Sequence, residues 1–230
     1  MFFEPFFLNC MLKFLRLRLS PKIPINIMKV NKPKWDTPDG HSPLVAFLSQ
    51  FGALSKEVVA EIDTNTFPLF IKKKKLILKP GAYTDHIYLI VKGVLHGYIK
   101  EDGKQVTTWL NSENEIVGAL RELGSDNHSD EYLEALEDTF AVAIPMSYTE
   151  TIYIKYPETN IIGRKLWQYS YHKAIERAFT NRIPSAKKKY LRFIETHPNI
   201  SNRVPLKYIA SYLGITQETL SRIRSKKMKS

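Results

Sequence analysis

The residues best suited to recognition chemistry lie near the C-terminal end, in the segment PLKYIASYLGITQETLSRIRSKK at residues 205–227. Gln217, Glu218 and Arg222 are spaced so that a helix would present all three on one side. In the major groove of DNA an amide can hydrogen-bond to adenine, a carboxylate to cytosine and a guanidinium to guanine. These side chains therefore predict non-covalent reading of base edges.

A helix-turn-helix frame is predicted around these residues. Ala210 is small where two helices must cross closely, and Gly214 occupies the turn, where a positive φ is easiest for glycine. Pro205 suits the first position of one helix, and Thr216 suits the N-cap of the next. The alternative, an ordinary helical hairpin, explains this joint spacing less well. The apolar frame consists of Leu206, Ile209, Leu213, Ile215, Leu220 and Ile223.

The predicted contact set combines base-reading and phosphate-contacting side chains. Residues 216–230 hold five basic residues and one acidic residue, which favours a polyanion as partner. Lys207, Thr219 and Arg224 are assigned to phosphates, which position a protein on DNA without reading its sequence. The predicted DNA-binding residues are Thr216, Gln217, Glu218, Thr219, Ser221, Arg222, Arg224 and Lys207.

The charge of the chain is unevenly distributed. The formal net charge of +11 arises mainly in residues 158–230, with 16 basic and 4 acidic residues, whereas residues 42–157 hold 11 and 16. This asymmetry indicates a polyanion partner for one end only. The alternative is a solvated basic face. The run Lys72–Lys75 is interpreted as the solvated start of an edge strand, with a nucleic-acid patch as the second possibility.

Several other chemistries are excluded or disfavoured. Cys10 is the only cysteine, so an internal disulfide, a thiolate zinc site and an all-Cys iron–sulfur cluster are ruled out, and a reducing cytoplasm is predicted. No apolar run approaches the ~18 residues of a membrane span. Nucleophile-elbow, phosphate-loop and metal-cluster motifs are missing from the sequence, so we predict that the chain is not an enzyme. Haem ligation by a histidine stays open, although ordinary roles are favoured for His86, His96 and His128.

The middle of the chain predicts a β-sandwich or barrel. Short segments rich in β-branched and aromatic residues alternate with glycines from residue 69 onwards, and the run Glu101–Lys104 is typical of a hairpin turn. Two short helices precede these strands, beginning near Pro43 and after Ser55.

A long helix is predicted over residues 158–183, between the strands and the C-terminal frame. Ile162 and Leu166 share one face with Tyr169, while Tyr171, Ile175 and Ala178 continue an apolar stripe after a phase slip, a pattern that fits a connector and a dimer seam. The alternative is that the stripe packs on the chain's own β domain. Both interpretations can hold at once. A further helix, capped by Ser185, is predicted before the helix-turn-helix frame, with Lys187–Lys189 pointing outward.

Residues 1–41 are interpreted as a leader and linker. The apolar start has its basic residues, Lys13, Arg16 and Arg18, late in the segment, the reverse of a secretory signal. A membrane-surface helix is a second interpretation. We favour either a disordered extension or a start set too far upstream, with Met28 as a more natural start.

The order of these elements resembles the Crp/Fnr-type bacterial transcription regulators over about residues 42–226. The segment KPGAYTDHIYLIVKGVLHGYIKEDGKQ looks like the first barrel hairpins of that family, and GITQETLSRIR is similar to its recognition helix. The resemblance implies an α+β protein with an N-terminal β-roll of the cyclic-nucleotide-binding jelly-roll type (42–157), a long dimerisation helix (158–183) and a C-terminal helix-turn-helix domain (184–230).

The resemblance breaks down at the effector site. Nucleotide binders of the family carry Gly-Glu for the ribose and, further on, an arginine for the cyclic phosphate. Here Ala119 follows Gly118, and Ser129, followed by Asp130, stands at the arginine position. Acidic residues dominate this region and would repel a phosphate. We expect a degenerate effector pocket that does not take a cyclic nucleotide, and no other cofactor or effector is predicted. This pocket comprises Gly118, Ala119, Arg121, Glu122, Ser129 and Asp130.

The resemblance implies that the partners are double-stranded DNA, a second copy of the chain on a palindromic operator, and RNA polymerase. Binding to a membrane is not predicted. A sensor state would move the two recognition helices through the long helix. The alternative function is a ligand- or partner-binding regulatory module that does not read DNA.

Overall fold

The computed structural model describes residues 35–82, 86–118 and 131–227. The helices are α1 (Pro43–Leu48), α2 (Lys56–Asn65), α3 (Met146–Lys155), α4 (Glu158–Arg182), α5 (Ala186–Thr196), α6 (Leu206–Tyr212) and α7 (Gln217–Lys227). The strands are β1 (Phe67–Ile71), β2 (Leu76–Leu78), β3 (His86–Lys92), β4 (Leu95–Glu101), β5 (Lys104–Asn111), β6 (Ile116–Val117), β7 (Tyr132–Ala135) and β8 (Thr139–Pro145). Within this part of the chain, no helix is both long and apolar enough to span a bilayer.

The eight strands form an antiparallel β-roll of two four-stranded sheets. Sheet A has the order β1-β8-β3-β6, and sheet B has the order β2-β7-β4-β5. Apolar side chains from both sheets, including Ile90 of sheet A and Leu95 of sheet B, meet in one interior core. At the β4–β5 hairpin, Asp102 and Gly103 have φ values of 49° and 74°, as a type I′ turn requires. The predicted β-roll is thus confirmed.

The lysine run lies in a different element from the one predicted. Residues 72–75 form the turn between β1 and β2, where Lys74 has a φ of 66°. The run therefore does not begin a strand. A non-glycine residue adopts this conformation only where the surrounding chain imposes it, which local sequence patterns do not reveal.

Helices α1 and α2 cover the outer face of sheet A. Phe47, Val58 and Ile62 pack with Leu89 and Val142, which point outward from the sheet. Both helices begin as predicted, because the hydroxyls of Ser42 and Ser55 accept hydrogen bonds from the first-turn N–H groups of Leu44 and Val58.

Helix α4 has two apolar faces with different environments. Leu166 packs with α1, α2, α3 and sheet A, and Ile162 lines a small cavity between the same elements. Gly163 is required at the crossing with α3, since a Cβ there would lie 2.6 Å from the Tyr153 hydroxyl. The opposite face is exposed and includes Ile161, Trp167, Tyr171 and Phe179.

Helices α5, α6 and α7 form the predicted helix-turn-helix unit around a core that includes Phe193, Ile209, Leu213 and Leu220. Helix α5 is capped by the Ser185 hydroxyl, which accepts from the N–H of Lys188. Gly214 has the expected positive φ, 61°. Pro205 occupies the N-cap of α6, one position before the place expected from the sequence.

Candidate nucleic-acid interface and effector region

Helix α7 presents the predicted base-reading side chains together. Gln217, Glu218, Ser221 and Arg222 are exposed on one side, while Leu220 is fully buried against α5 and α6. Because the buried side fixes the rotation of α7, the exposed side has a single orientation relative to the domain.

The N-terminus of α7 is organised by its threonines. The Thr216 hydroxyl accepts a hydrogen bond from the N–H of Thr219 at 3.2 Å, which confirms the predicted cap. The Thr219 hydroxyl accepts from Nη2 of Arg222 at 3.4 Å. Hydrogen bonds from its own N–H and from Thr216 lower the pKa of Glu218. Glu218 is therefore an acceptor at neutral pH, as pairing with a cytosine amino group requires.

Arg224 lies apart from the exposed reading side. Its Nη1 donates to the carbonyl of Ser201 at 3.3 Å, and its Nη2 donates to Oδ1 of Asn202 at 3.4 Å. These bonds join α7 to the turn between α5 and α6. In this arrangement Arg224 holds α7 in place.

Two lysines have surroundings that the sequence did not indicate. Nζ of Lys189 donates to the carbonyl of Leu213 at 2.9 Å, immediately before the turn at Gly214. The sequence predicted an outward orientation for this lysine. Nζ of Lys207 lies 4.6 Å from the ring centroid of Tyr208, on the first helix of the motif. Lys189 thus supports the turn, while Lys207 stays exposed on α6.

The helix-turn-helix unit packs against sheet B of its own chain. Helix α6 lies on β5, where the N–H of Thr107 donates to the Ser211 hydroxyl at 2.9 Å. Val94 and Leu110 of the roll share one apolar core with Phe193 and Ile209. Patterns of residue type along the sequence gave no signal for this contact, which joins residues about a hundred positions apart.

The predicted effector pocket is described only in part. Gly118 lies against β3, and a Cβ at this position would meet the Ile87 side chain at 2.7 Å, so the close approach requires glycine. Ala119, Arg121, Glu122, Ser129 and Asp130 lie outside the described residues, as does His128.

An aromatic side chain occupies the described interior of the roll. The Trp109 ring lies across Gly97, where a Cβ would come within 2.1 Å of it, and packs against the interior core. Its Nε1 donates to Oε2 of Glu131 at 3.3 Å. Aliphatic side chains such as Ile90, Leu95 and Val117 fill the surrounding space.

The two described histidines of the roll both pack against tyrosine rings, and the buried Nδ1 of His96 has no hydrogen-bond partner among the described residues. His96 is fully buried, its Nε2 hydrogen-bonds to the Thr107 hydroxyl at 2.9 Å, and its ring packs against Tyr98 and Tyr208. His86 stacks on Tyr88 with ring centroids 6.5 Å apart. Over the described ranges, no three His, Cys, Asp or Glu residues are grouped so that they could hold a metal ion.

A small apolar cavity of about 70 Å³ lies between sheet A, α1, α2, α3 and α4. The Tyr148 hydroxyl on its wall has no hydrogen-bond partner among the described residues. The volume is well below the ~150 Å³ of an engineered cavity that takes benzene, so the cavity is a packing gap rather than an effector site.

Comparison with known proteins agrees with this architecture. Residues 68–156 match the family model of the cyclic nucleotide-binding domain. No curated protein sequence matches the chain significantly. FixK2 from Bradyrhizobium japonicum is similar in structure, with 19% identity, a TM-score of 0.58, and coverage of 70% of this chain and 83% of that chain.

Two further solved structures show the same likeness. A CooA mutant from Carboxydothermus hydrogenoformans has 15% identity and a TM-score of 0.57, covering 72% of this chain and 78% of that one. TTHA1359 from Thermus thermophilus, a transcriptional regulator of the CRP/FNR family, has 14% identity and a TM-score of 0.53, covering 70% and 86%. Residues 68–156 are therefore a domain of the cyclic nucleotide-binding type. The described part of the chain has the fold of the Crp/Fnr-type transcription regulators, as the sequence predicts.

Proposed function

We propose that the chain is a DNA-binding transcription regulator of the Crp/Fnr type. The observation that carries the proposal is the exposed side of α7, where Gln217, Glu218 and Arg222 stand together on a helix whose other side is locked into a core. Such a helix fits the major groove, and its side chains can pair with adenine, cytosine and guanine edges.

Phosphate contacts would position this helix on the duplex. Thr216, Thr219 and Ser221 lie at or near the N-terminal end of α7, where backbone N–H groups favour an anion. Lys207 adds a cation on α6. Arg224 contributes indirectly, since its hydrogen bonds hold α7 against the preceding turn.

A homodimer would use the exposed face of α4. Ile161, Gln168 and Ile175 recur every seven residues along this helix, and Tyr171 and Phe179 lie on the same side. Ile161, Tyr171 and Phe179 are exposed, Ile175 is half-buried, and Gln168 is a polar residue among them. An exposed apolar face of this kind fits a seam between two helices. Two copies related by a two-fold axis would present two α7 helices to the half-sites of a palindromic operator.

The sensor domain is proposed to have lost cyclic-nucleotide binding. Trp109 and aliphatic side chains fill the described part of the roll interior, and Ala119 and Ser129 replace the residues that would hold ribose and phosphate. We expect no enzymatic activity, a cytoplasmic location and contact with RNA polymerase. The second candidate, a regulatory module that does not read DNA, would have to leave the exposed side of α7 unused.

The test is selection of genomic DNA fragments by the purified chain across a salt series, without ligand and then with cyclic AMP or cyclic GMP. We expect enrichment of a palindromic motif that does not depend on nucleotide. Enrichment only with nucleotide would contradict the loss of that site. Weak, strongly salt-sensitive binding without a motif would favour the second candidate.

Arg222→Ala should weaken binding to the selected site by roughly 1–3 kcal/mol and relax specificity at one base pair. Lys56→Ala, which removes the same charge from an exposed position on α2, is the control and should bind normally. Fluorescence anisotropy measures the affinity of each variant for a cognate duplex and for a random duplex. An equal loss on the two duplexes would contradict base reading by Arg222.

A further inference from the structure

A stacked column of aromatic rings joins the sensor domain to the helix-turn-helix unit. Tyr132 stacks on Tyr98 with ring centroids 4.7 Å apart, Tyr98 on His96 at 5.0 Å, and His96 contacts Tyr208 at 4.5 Å. The first three rings belong to sheet B and the fourth to α6. Ammonium groups lie at both ends of this aromatic column, because Nζ of Lys100 is 4.8 Å from the Tyr132 centroid and Lys207 lies over Tyr208.

The column is part of a tightly closed interface. His96 and Tyr98 are buried, and the Thr107 hydroxyl fixes the imidazole. The hydrogen bond from the Thr107 N–H to Ser211 holds α6 beside it. The helix-turn-helix unit is therefore held in one orientation on sheet B.

An ionic clamp closes the edge of the same interface. Nη1 and Nη2 of Arg203, in the turn before α6, donate to the two carboxylate oxygens of Glu113 at 2.9 and 2.7 Å. Nη2 also pairs with Glu137. Burial alone would raise the pKa of Glu113, but hydrogen bonds from Arg203 and from the N–H of Gly93 outweigh it and lower the pKa to about 2. The clamp is thus fully charged at neutral pH.

The carboxylates of the clamp lie beside a cation that would otherwise attract a polyanion. Glu113 and Glu137 neutralise Arg203. Glu134 lies opposite His96 in the β4–β7 register. Burial raises the pKa of Glu134, and the charge of Lys207 acts in the opposite direction. Arg203 is therefore paired with the acidic domain rather than available to phosphates, and Lys207 is under the electrostatic influence of Glu134 in the same domain.

We propose that the aromatic column and the Arg203 clamp form an autoinhibitory latch. The latch holds the helix-turn-helix unit on its own sensor domain, and DNA must compete with Glu113, Glu134 and Glu137 for Arg203 and Lys207. This inference rests on the proposed function, because it describes how the same DNA-binding face is regulated. The long helix is one route by which the sensor domain could control DNA binding. The latch would be a second route, and it acts within one chain.

The test uses the full chain with Glu113→Gln and Glu137→Gln together, a nearly isosteric change that removes both carboxylates of the clamp. Glu57→Gln with Glu150→Gln, at exposed positions, is the control of equal charge. Hydrogen exchange in the absence of DNA reports the latch itself. We expect faster exchange in α6 and β5 of the clamp variant and no change in the control.

DNA binding supplies the second measurement. With random duplex DNA, the clamp variant should bind more tightly than wild type. The slope of log K against log salt concentration should become steeper by about 1 to 2, the change expected for one or two new phosphate contacts. Tyr208→Leu removes the last ring of the column and keeps an apolar side chain. It should change hydrogen exchange and DNA binding in the same direction as the clamp variant does.

Each outcome decides a different point. Unchanged exchange in both variants would contradict the latch. Faster exchange with equal or weaker DNA binding would contradict inhibition and show that the contact supports binding. Absence of DNA binding by wild type and variants alike would contradict the proposed function, while hydrogen exchange would still decide whether the latch joins the two domains.

Discussion

The two sheets of the β-roll are covered on their outer faces in different ways. Sheet A is covered by α1 and α2 through aliphatic and phenylalanine side chains such as Val58, Ile62 and Phe47. Sheet B is covered by the helix-turn-helix unit through a neutral histidine, three tyrosines, hydrogen bonds and a charged clamp, in addition to the apolar contacts of Val94 and Leu110 with that unit. Apolar contact depends little on pH or salt, whereas the contact on sheet B depends on both. With the proposed latch, sheet A would have a permanent cover and sheet B a releasable one.

The largest effect is expected from breaking the permanent cover. Ile62→Ala leaves a gap beneath α2, where Ile62 is fully buried, and should lower the free energy of unfolding by about 2–5 kcal/mol. Urea unfolding measures the change. Glu57→Ala, at an exposed position of the same helix, should stay within about 0.5 kcal/mol of wild type. A loss below about 1 kcal/mol for Ile62→Ala would contradict a tightly packed cover on sheet A.

A smaller effect on stability, which depends on pH, is expected from His96 on sheet B. Burial and, second, the charge of Lys207 lower the pKa of His96 to about 4. The unfolded chain takes up a proton near pH 6.5, but the folded chain does not until about pH 4, so stability falls as the pH falls through this window. The loss from His96 between pH 7 and pH 5 should be about 2 kcal/mol.

The matched variant for this effect is His96→Phe, which keeps a ring in the column. Unfolding free energies of both proteins at pH 7 and pH 5 give the contribution of His96 as the difference between their two changes. His197, whose pKa burial also lowers, contributes equally to both proteins and cancels. Equal pH dependence in the two proteins would show that His96 is not buried as a neutral group.

The smallest expected effect is a gain in the free energy of unfolding from a substitution beside sheet A. The Tyr148 hydroxyl is buried beside the small cavity and has no partner in the part of the chain that the structure describes. Tyr148→Phe should therefore raise the unfolding free energy by about 1 kcal/mol, because an unpaired buried hydroxyl is removed. Tyr156→Phe is the comparison, since its hydroxyl donates to Glu61 at 3.5 Å and its removal should not stabilise. Destabilisation by Tyr148→Phe would indicate an unrecognised partner.

The elements that could be predicted from the sequence are those whose signals are local. The apolar spacing around Ala210, the positive φ of Gly214 and the cap at Thr216 all concern residues a few positions apart, and the structure confirms each of them. The predicted helix at 158–183 is observed as Glu158–Arg182.

The features that could not be predicted depend on distant residues. Arg203 pairs with Glu113, 90 positions away, and Ser211 bonds to Thr107, 104 positions away. Periodicity does not reveal such pairs, because it describes only one element at a time. The same reason explains two wrong predictions, the outward orientation of Lys189 and the start of a strand at Lys72–Lys75. The DNA-contact assignments and the division into domains stay predictions.

Gly97 and Trp109 have a consequence for how this protein can evolve. They face each other in the β4–β5 register, and the indole covers the glycine so closely that no side chain fits at position 97. Neither residue can change alone without either a clash or a void inside the roll. Descendant sequences should therefore vary at these two positions together, and a smaller residue at 109 should appear in lineages whose roll has regained room for a guest molecule.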